Sequence, residues 1–183
     1  MIGDWLARWR VRLGYPLVIV VFWLARPTPR SLAWGALIGI AGLLVRGLAA
    51  GSLKKHEALT VSGPYAYTRN PLYLGSAVLA AGFAAACHSW YAAAVLAAYF
   101  VCFYPGVMRR EERELRAHYG ASFEEYAARV PLFFPRFTGA RFAEPEGQGF
   151  SWKQYAKNRE YQAAAGLVLV LGILYGLMRW RGR

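Results

Sequence analysis

The chain has 183 residues, of which 57% are apolar, and it carries a formal net charge of +12 at pH 7. The apolar fraction is too high for a soluble domain of this size, so the composition excludes an ordinary soluble fold and predicts an all-α, polytopic membrane protein. The charge alone would suit nucleic-acid binding, but its distribution favours attraction to anionic lipid headgroups, and we expect no nucleic-acid partner.

Five apolar blocks predict about five transmembrane helices, with short cytoplasmic helices between them. A span needs roughly 20 apolar residues, with about 17 as a lower limit. The first block is short, so it is either a thin span or an interfacial helix, and we favour a span. The blocks are residues 13–25, 32–50, 71–86, 91–108 and 163–178. We expect one membrane domain over 1–183, divided into an N-terminal hairpin (1–50), a core (51–136) and a C-terminal part (137–183).

Basic residues alternate between the two ends of the predicted spans. They cluster before the first span, between the second and third, and after the fourth, whereas the connection His88-Ser89-Trp90 has no Lys or Arg. This positive-inside pattern predicts a multi-pass protein of the bacterial inner membrane with its N-terminus and both polar segments in the cytoplasm. The basic tail at 179–183 would then lie outside, so either the tail is tolerated or one end segment does not cross.

Local signals predict where the helices begin and end. Ser31 can cap the second helix, and Asn70 can cap the third, whose first residue is Pro71. Pro105-Gly106 is expected to bend or end the fourth span. Ser122 opens a capping-box pattern, which predicts the start of a further short helix.

Residues 59–75 form a loop rich in Gly, Pro, Tyr and Arg between two apolar blocks. The helix start at Asn70-Pro71 directs free N–H groups and a positive dipole end into this loop, where a carboxylate or phosphate can bind. Arg69 adds a positive charge, and three rings surround the same point: Tyr65, Tyr67 and Tyr73. Tyrosines alone would suit an interfacial aromatic belt; with Gly-Pro and Arg-Asn-Pro at fixed offsets, a binding site is favoured.

Glu111 and Glu112 lie where the fourth span leaves the membrane. They could simply form i,i+4 pairs on a solvated helix, for instance Glu112 with Arg116. However, the third and fourth spans form a hairpin, which returns both carboxylates to the face where the third helix begins. The two polar segments are therefore predicted to be neighbours.

Two further charges lie in or beside apolar blocks. Arg46 either snorkels or faces a polar partner. Glu160 is assigned to headgroup-level solvation, with substrate contact as the alternative.

These motifs resemble the integral-membrane isoprenylcysteine carboxyl methyltransferases and the related phospholipid N-methyltransferases, over roughly residues 46–136. The resemblance is carried by Gly63-Pro64-Tyr65, Arg69-Asn70-Pro71-Leu72-Tyr73-Leu74-Gly75, Arg110-Glu111-Glu112, Leu115, Tyr119-Gly120, Tyr126 and Arg129-Val130-Pro131. It implies an S-adenosylmethionine-dependent methyltransferase that modifies a membrane lipid or lipid-like acceptor at the cytoplasmic boundary.

The resemblance also implies a set of site residues. Glu111 or Glu112 would hold the amino group of the cofactor, and Arg109 would bind the headgroup or carboxylate of the acceptor, which makes Arg109 and Glu112 the catalytic candidates. The cofactor site would comprise Leu59, Thr60, Tyr65, Arg69, Asn70, Pro71, Leu72, Tyr73, Glu111 and Glu112. No Cys/His spacing indicates a metal site.

One residue departs from the pattern, because Asn70 stands where the prenylcysteine enzymes usually have His. Asn can hydrogen-bond but cannot become cationic, so the choice between a carboxylate and an amine acceptor stays open. The alternatives are a phospholipid N-methyltransferase, a sterol-type reductase with a nicotinamide cofactor, and a non-enzymatic membrane protein. The reductase loop usually contains an Asp and a second Asn, which residues 69–76 lack.

Overall fold

The structure is a computed structural model that describes residues 2–54, 58–142 and 149–182, without the side chains of residues 2–11. Within these ranges the chain forms seven α-helices and one 3-10 turn, and no strand. They are α1 (Ile2–Leu24), α2 (Pro29–Ser52), the 3-10 turn (Gly63–Ala66), α3 (Pro71–Cys87), α4 (Trp90–Tyr119), α5 (Ala121–Arg129), α6 (Trp152–Lys157) and α7 (Tyr161–Arg181). The predicted all-α class is confirmed.

In the described part of the chain, three helices, α2, α4 and α7, are long and apolar enough to cross a membrane, and α1 and α3 contain the shorter apolar stretches Arg12–Leu24 and Pro71–Cys87. Large apolar side chains cover their outer surfaces, among them Trp34, Leu44 and Val168, each at least 63% exposed. Such exposure suits helices that face lipid rather than water.

The helices form a bundle with two different ends. The polar end carries the start of α3, the charged extension of α4 and residues 58–70 and 121–142. The hairpin end carries the α1–α2 and α3–α4 connections. At the polar end Arg46 pairs with Glu160 at the start of α7. At the hairpin end Arg181, in the last turn of α7, donates to the carbonyls of Ala25 and Trp23. Helix α7 therefore runs the whole length of the bundle.

Glycines bring α2 and α3 into backbone contact. A Cβ added at Gly42 would lie 2.7 Å from the backbone nitrogen of Leu79 and 2.8 Å from the carbonyl oxygen of Gly75. One added at Gly82 would lie 2.7 Å from the nitrogen of Gly39. Membrane helices associate through small residues in this way because lipid provides no hydrophobic force between them. This contact holds α3 closely against α2.

The hairpin end is closed by polar contacts between the connections. Ser31 Oγ donates to the carbonyl of Ala86 at 3.1 Å, and the backbone N–H of Arg26 donates to the carbonyl of Cys87 at 2.7 Å. The expectation that Ser31 caps α2 is wrong, because Thr28 is the capping residue and Ser31 completes the capping box from the third helical position. A depression of about 670 Å³ lies here, far from the polar end.

Two further helix boundaries differ from the sequence expectation. Helix α4 does not end at Pro105-Gly106 but continues to Tyr119 as one helix of 30 residues. A proline inside a membrane helix is tolerated when neighbouring groups satisfy the freed backbone. Helix α5 starts without a cap from Ser122, because Gly120, at φ 51°, both ends α4 and receives the first backbone hydrogen bonds of α5.

Candidate functional site at the polar end

Backbone hydrogen bonds join the loop before α3 to the segment after α5. Three bonds form this short ladder, one donated by the loop and two by the later segment: Arg69 N to Pro131 O at 2.9 Å, Arg136 N to Tyr67 O at 3.0 Å, and Ala140 N to Ala66 O at 2.9 Å. The two polar segments are therefore neighbours, as the sequence predicted.

Asn70 and Thr68 strengthen this joint with their side chains. Asn70 Nδ2 donates to the carbonyl of Leu132 at 2.9 Å, and Thr68 Oγ1 donates to the carbonyl of Phe133 at 2.9 Å. Both polar side chains are buried, at 8% and 1% exposed. Asn70 occupies the cap position before α3, as predicted, but its amide is engaged with the neighbouring loop and makes no cap hydrogen bond.

A pair of buried tyrosines lies behind the ladder. The hydroxyl of Tyr126 on α5 donates to the carbonyl of Tyr65 in the 3-10 turn at 2.8 Å. Burial raises the pKa of both phenols above the ordinary value, so both remain protonated at physiological pH. The contact holds the 3-10 turn against α5.

Glu111 contacts the first turn of α3. The hydroxyl of Tyr73 donates to Glu111 Oε1 at 2.5 Å, which joins α3 to α4 across 38 positions of sequence. Glu111 is otherwise exposed. The ring of Tyr73 also meets the ring of Tyr104 edge-on, with centroids 5.5 Å apart. An exposed carboxylate thus stands beside tyrosine rings at the boundary between the apolar and charged parts of α4.

Glu112 has a different environment from Glu111. Its Oε1 lies 2.9 Å from Nε of Arg69, and each side chain is 15% exposed. These two buried atoms make no hydrogen bond to any described residue, so the contact is an ion pair without hydrogen-bond geometry. Arg69 Nη1 donates instead to the carbonyl of Ala127 at 3.2 Å. The alternative pairing of Glu112 with Arg116 is not observed, because Arg116 pairs with Glu124.

The other candidate residues differ in their burial and in the contacts that they make. Pro71 is buried at the start of α3, and the carbonyl of Leu72 accepts a hydrogen bond from Arg46. Leu59 packs against a hydrophobic cluster beside α5, and Thr60 accepts from the backbone of Lys54 at 3.4 Å. Arg109 is exposed, and none of the contacts described above involves it. Tyr67, the third ring of the loop, is 43% exposed and packs against Gly139.

Arg46 and Glu160 form an ion pair at the polar end. Of the two expectations for Arg46, the polar partner is confirmed, because Arg46 binds Glu160 through two contacts, one of them from Nη2 to Oε2 at 3.0 Å. Glu160 is 6% exposed, so its assignment to headgroup-level solvation is wrong. The only local signal was that each charge lies in or beside an apolar segment, where an unpaired charge is costly.

The family model described as phospholipid methyltransferase matches residues 9–122, which is more than half of the chain. The chain belongs to the phospholipid methyltransferase family. This family match agrees with the methyltransferase motifs and the membrane character, and it includes both Glu111 and Glu112. Glu160 and α7 lie outside it.

Two curated relatives of the chain are named for metal resistance. Cobalt-zinc-cadmium resistance protein CzcN of Cupriavidus metallidurans is 35% identical over 143 residues, which cover 70% of the chain and 66% of the relative. Nickel-cobalt-cadmium resistance protein NccN of Alcaligenes xylosoxydans xylosoxydans is 39% identical over 85 residues, which cover 46% of the chain and 39% of the relative. The chain thus spans less than two thirds of either relative. No solved structure matches. Among the described residues, no group of three or more His, Cys, Asp or Glu could hold a metal ion.

Proposed function

We propose that this protein is an S-adenosylmethionine-dependent methyltransferase that acts on a lipid or lipid-like acceptor at the polar end of the bundle. We place that end in the cytoplasm, on the strength of the basic residues around it. The observation that carries the proposal is the pair of contacts between the two motif segments: Glu111 accepts from Tyr73 in the first turn of α3, and Glu112 pairs with Arg69 just before α3.

The residues present at this joint suit the cofactor. S-adenosylmethionine carries a carboxylate, an ammonium and a sulfonium, and its sulfonium supplies the methyl group. The start of α3 suits the carboxylate, the exposed Glu111 suits the ammonium, and the ring of Tyr73 suits the sulfonium. Glu112 is already compensated by Arg69, so we assign the ammonium to Glu111 and a bracing role to Glu112.

The acceptor decides how much acid–base chemistry the protein must supply. A carboxylate attacks the methyl group directly and needs no general base. An amine must lose its proton, and with Glu111 on the cofactor ammonium, Glu112 is the carboxylate that can take this proton, at the cost of its ion pair with Arg69. Arg109, two residues before Glu111 on the same helix, remains our candidate for binding the acceptor headgroup. The family match favours this class of reaction over the reductase and non-enzymatic alternatives.

The proposal is tested with purified protein in its native lipids and S-adenosylmethionine labelled in the methyl group. Base-labile label in the lipid fraction identifies an ester, and base-stable label identifies N-methylation. The variants Glu111→Gln and Tyr73→Ala should weaken cofactor binding while the protein still folds. Glu114→Gln is the matched control, because Glu114 is on the same helix but only pairs with exposed Arg110. Absence of both label and cofactor binding in the unmodified protein refutes the proposal.

A further inference from the structure

The Arg46–Glu160 pair connects three helices at the polar end. Besides its two contacts with Glu160, Arg46 donates through Nη1 to Ser76 Oγ at 2.5 Å and to the carbonyl of Leu72 at 3.3 Å. Ser76 in turn donates to the same carbonyl at 2.8 Å. The pair therefore links α2 and α7 to residues 72 and 76, which bracket Tyr73.

Anchoring of α7 alone does not require this pair. Asn158, just before α7, donates to the carbonyls of Ala50 and Leu53 at 2.8 and 3.2 Å, and Ser151 N donates to the carbonyl of Gly51 at 2.9 Å. These neutral contacts already fasten the α6–α7 segment to the end of α2. Burying an ion pair costs much more desolvation than burying neutral groups. What distinguishes the pair is its contact with the first turns of α3.

Tyr65 shows that this pair and the proposed site share one electrostatic environment. The pKa of its phenol is raised first by burial, then by neighbouring Tyr126 and by the carboxylates of Glu111 and Glu160. Tyr65 is buried, at 7% exposed, in the 3-10 turn whose carbonyl accepts the hydrogen bond from Tyr126. Tyr65 thus lies within reach of the charges of Glu111 on α4 and Glu160 at α7.

We propose that Arg46 and Glu160 are positioning residues of the methyl-transfer site. They hold the first turn of α3, with Leu72 and Tyr73, in the geometry that binds the cofactor. Helix α7, which lies outside the family match, is then a required part of the site. This inference rests on the proposed function.

The test compares Glu160→Gln with Asn158→Ala in lipid nanodiscs. Glu160→Gln removes the charge but keeps the shape, whereas Asn158→Ala removes an anchor that touches α2 and not α3. We expect Glu160→Gln to raise the dissociation constant for S-adenosylmethionine about tenfold, the size expected for one charge-assisted hydrogen bond. Glu160→Asp should recover part of the affinity. Asn158→Ala should lower the thermal midpoint and leave cofactor affinity unchanged.

A second measurement separates this inference from the proposed function. Amide hydrogen exchange over residues 71–76 reports the order of the first turns of α3 without any cofactor. We expect faster exchange there in Glu160→Gln than in Asn158→Ala. Unchanged exchange, or equal losses of affinity in both variants, overturns the positioning role. If the unmodified protein binds no S-adenosylmethionine while Glu160→Gln still loosens α3, the proposed function fails and the structural linkage stands alone.

Discussion

The close packing of α2 and α3 makes Gly82 the position where one added methyl group should be most informative. In Gly82→Ala the new Cβ would lie 2.7 Å from the nitrogen of Gly39 and 2.8 Å from the carbonyl oxygen of Gly35. Both are backbone atoms, which cannot rotate away as a side chain can, so the helices must separate by about 0.5–1 Å. A gap of that size forfeits about a quarter to a half of the attraction between the atoms that lose contact, and overpacking typically costs about 1–3 kcal/mol.

Gly172→Ala is the matched control, because Gly172 lies on α7 with nothing within 4 Å of its added Cβ. Alanine is the better helix former, so this variant should be neutral or more stable by up to about 1 kcal/mol. The assay is reversible unfolding in mixed micelles, or the thermal midpoint where unfolding is irreversible. Equal stability of the two variants would refute the view that backbone contact holds α2 against α3.

Three further predictions concern the polar end. Asn70→Ala removes the 2.9 Å hydrogen bond to the carbonyl of Leu132, which then keeps only the 3.4 Å contact from Thr68 Oγ1, and should lower the free energy of unfolding by about 1–3 kcal/mol, measured by the same unfolding assay; no change would mean that water replaces the amide. Tyr73→Phe removes the hydroxyl bound to Glu111 and should weaken S-adenosylmethionine binding about tenfold in calorimetry without lowering stability; a loss of stability alone would contradict this. The raised pKa of Tyr126 favours the neutral phenol in the folded state, so its contribution is fully present below pH 10.0 and declines as the pH rises towards the raised value, by about 1.4 kcal/mol per pH unit. Tyr126→Phe should flatten this alkaline decline in unfolding measurements, and an identical slope would count against it.

Much of the helical organisation was predictable because its causes are local. Apolar runs bounded by polar segments gave the spans, and Pro71 correctly marked the first residue of α3. The local signals did not predict the structure where a tertiary contact determines the conformation of the side chain or the backbone. Asn70 has the right chemistry for a cap, but its amide is held by a carbonyl 62 residues away. Pro105 is a helix breaker in isolation, yet α4 passes through it.

The proximity of the two polar segments was also predictable, because a hairpin of two spans returns the chain to the side where it started. The different partners of the two glutamates were not predictable. Adjacent residues on a helix project about 100° apart, so only the packing of α4 decides that Glu111 meets Tyr73 while Glu112 meets Arg69.

The sequence by itself determined the membrane class and most of the helices, because apolar runs and prolines act over a few neighbouring positions. The tertiary structure alone decided that Arg46 binds Glu160, 114 residues further along the chain. That pairing depends on how α7 lies against α2 and on how closely glycines let α2 approach α3. Neither the packing of α7 on α2 nor the approach of α2 to α3 is encoded in a local pattern, because both are set by shape complementarity between segments far apart in the chain.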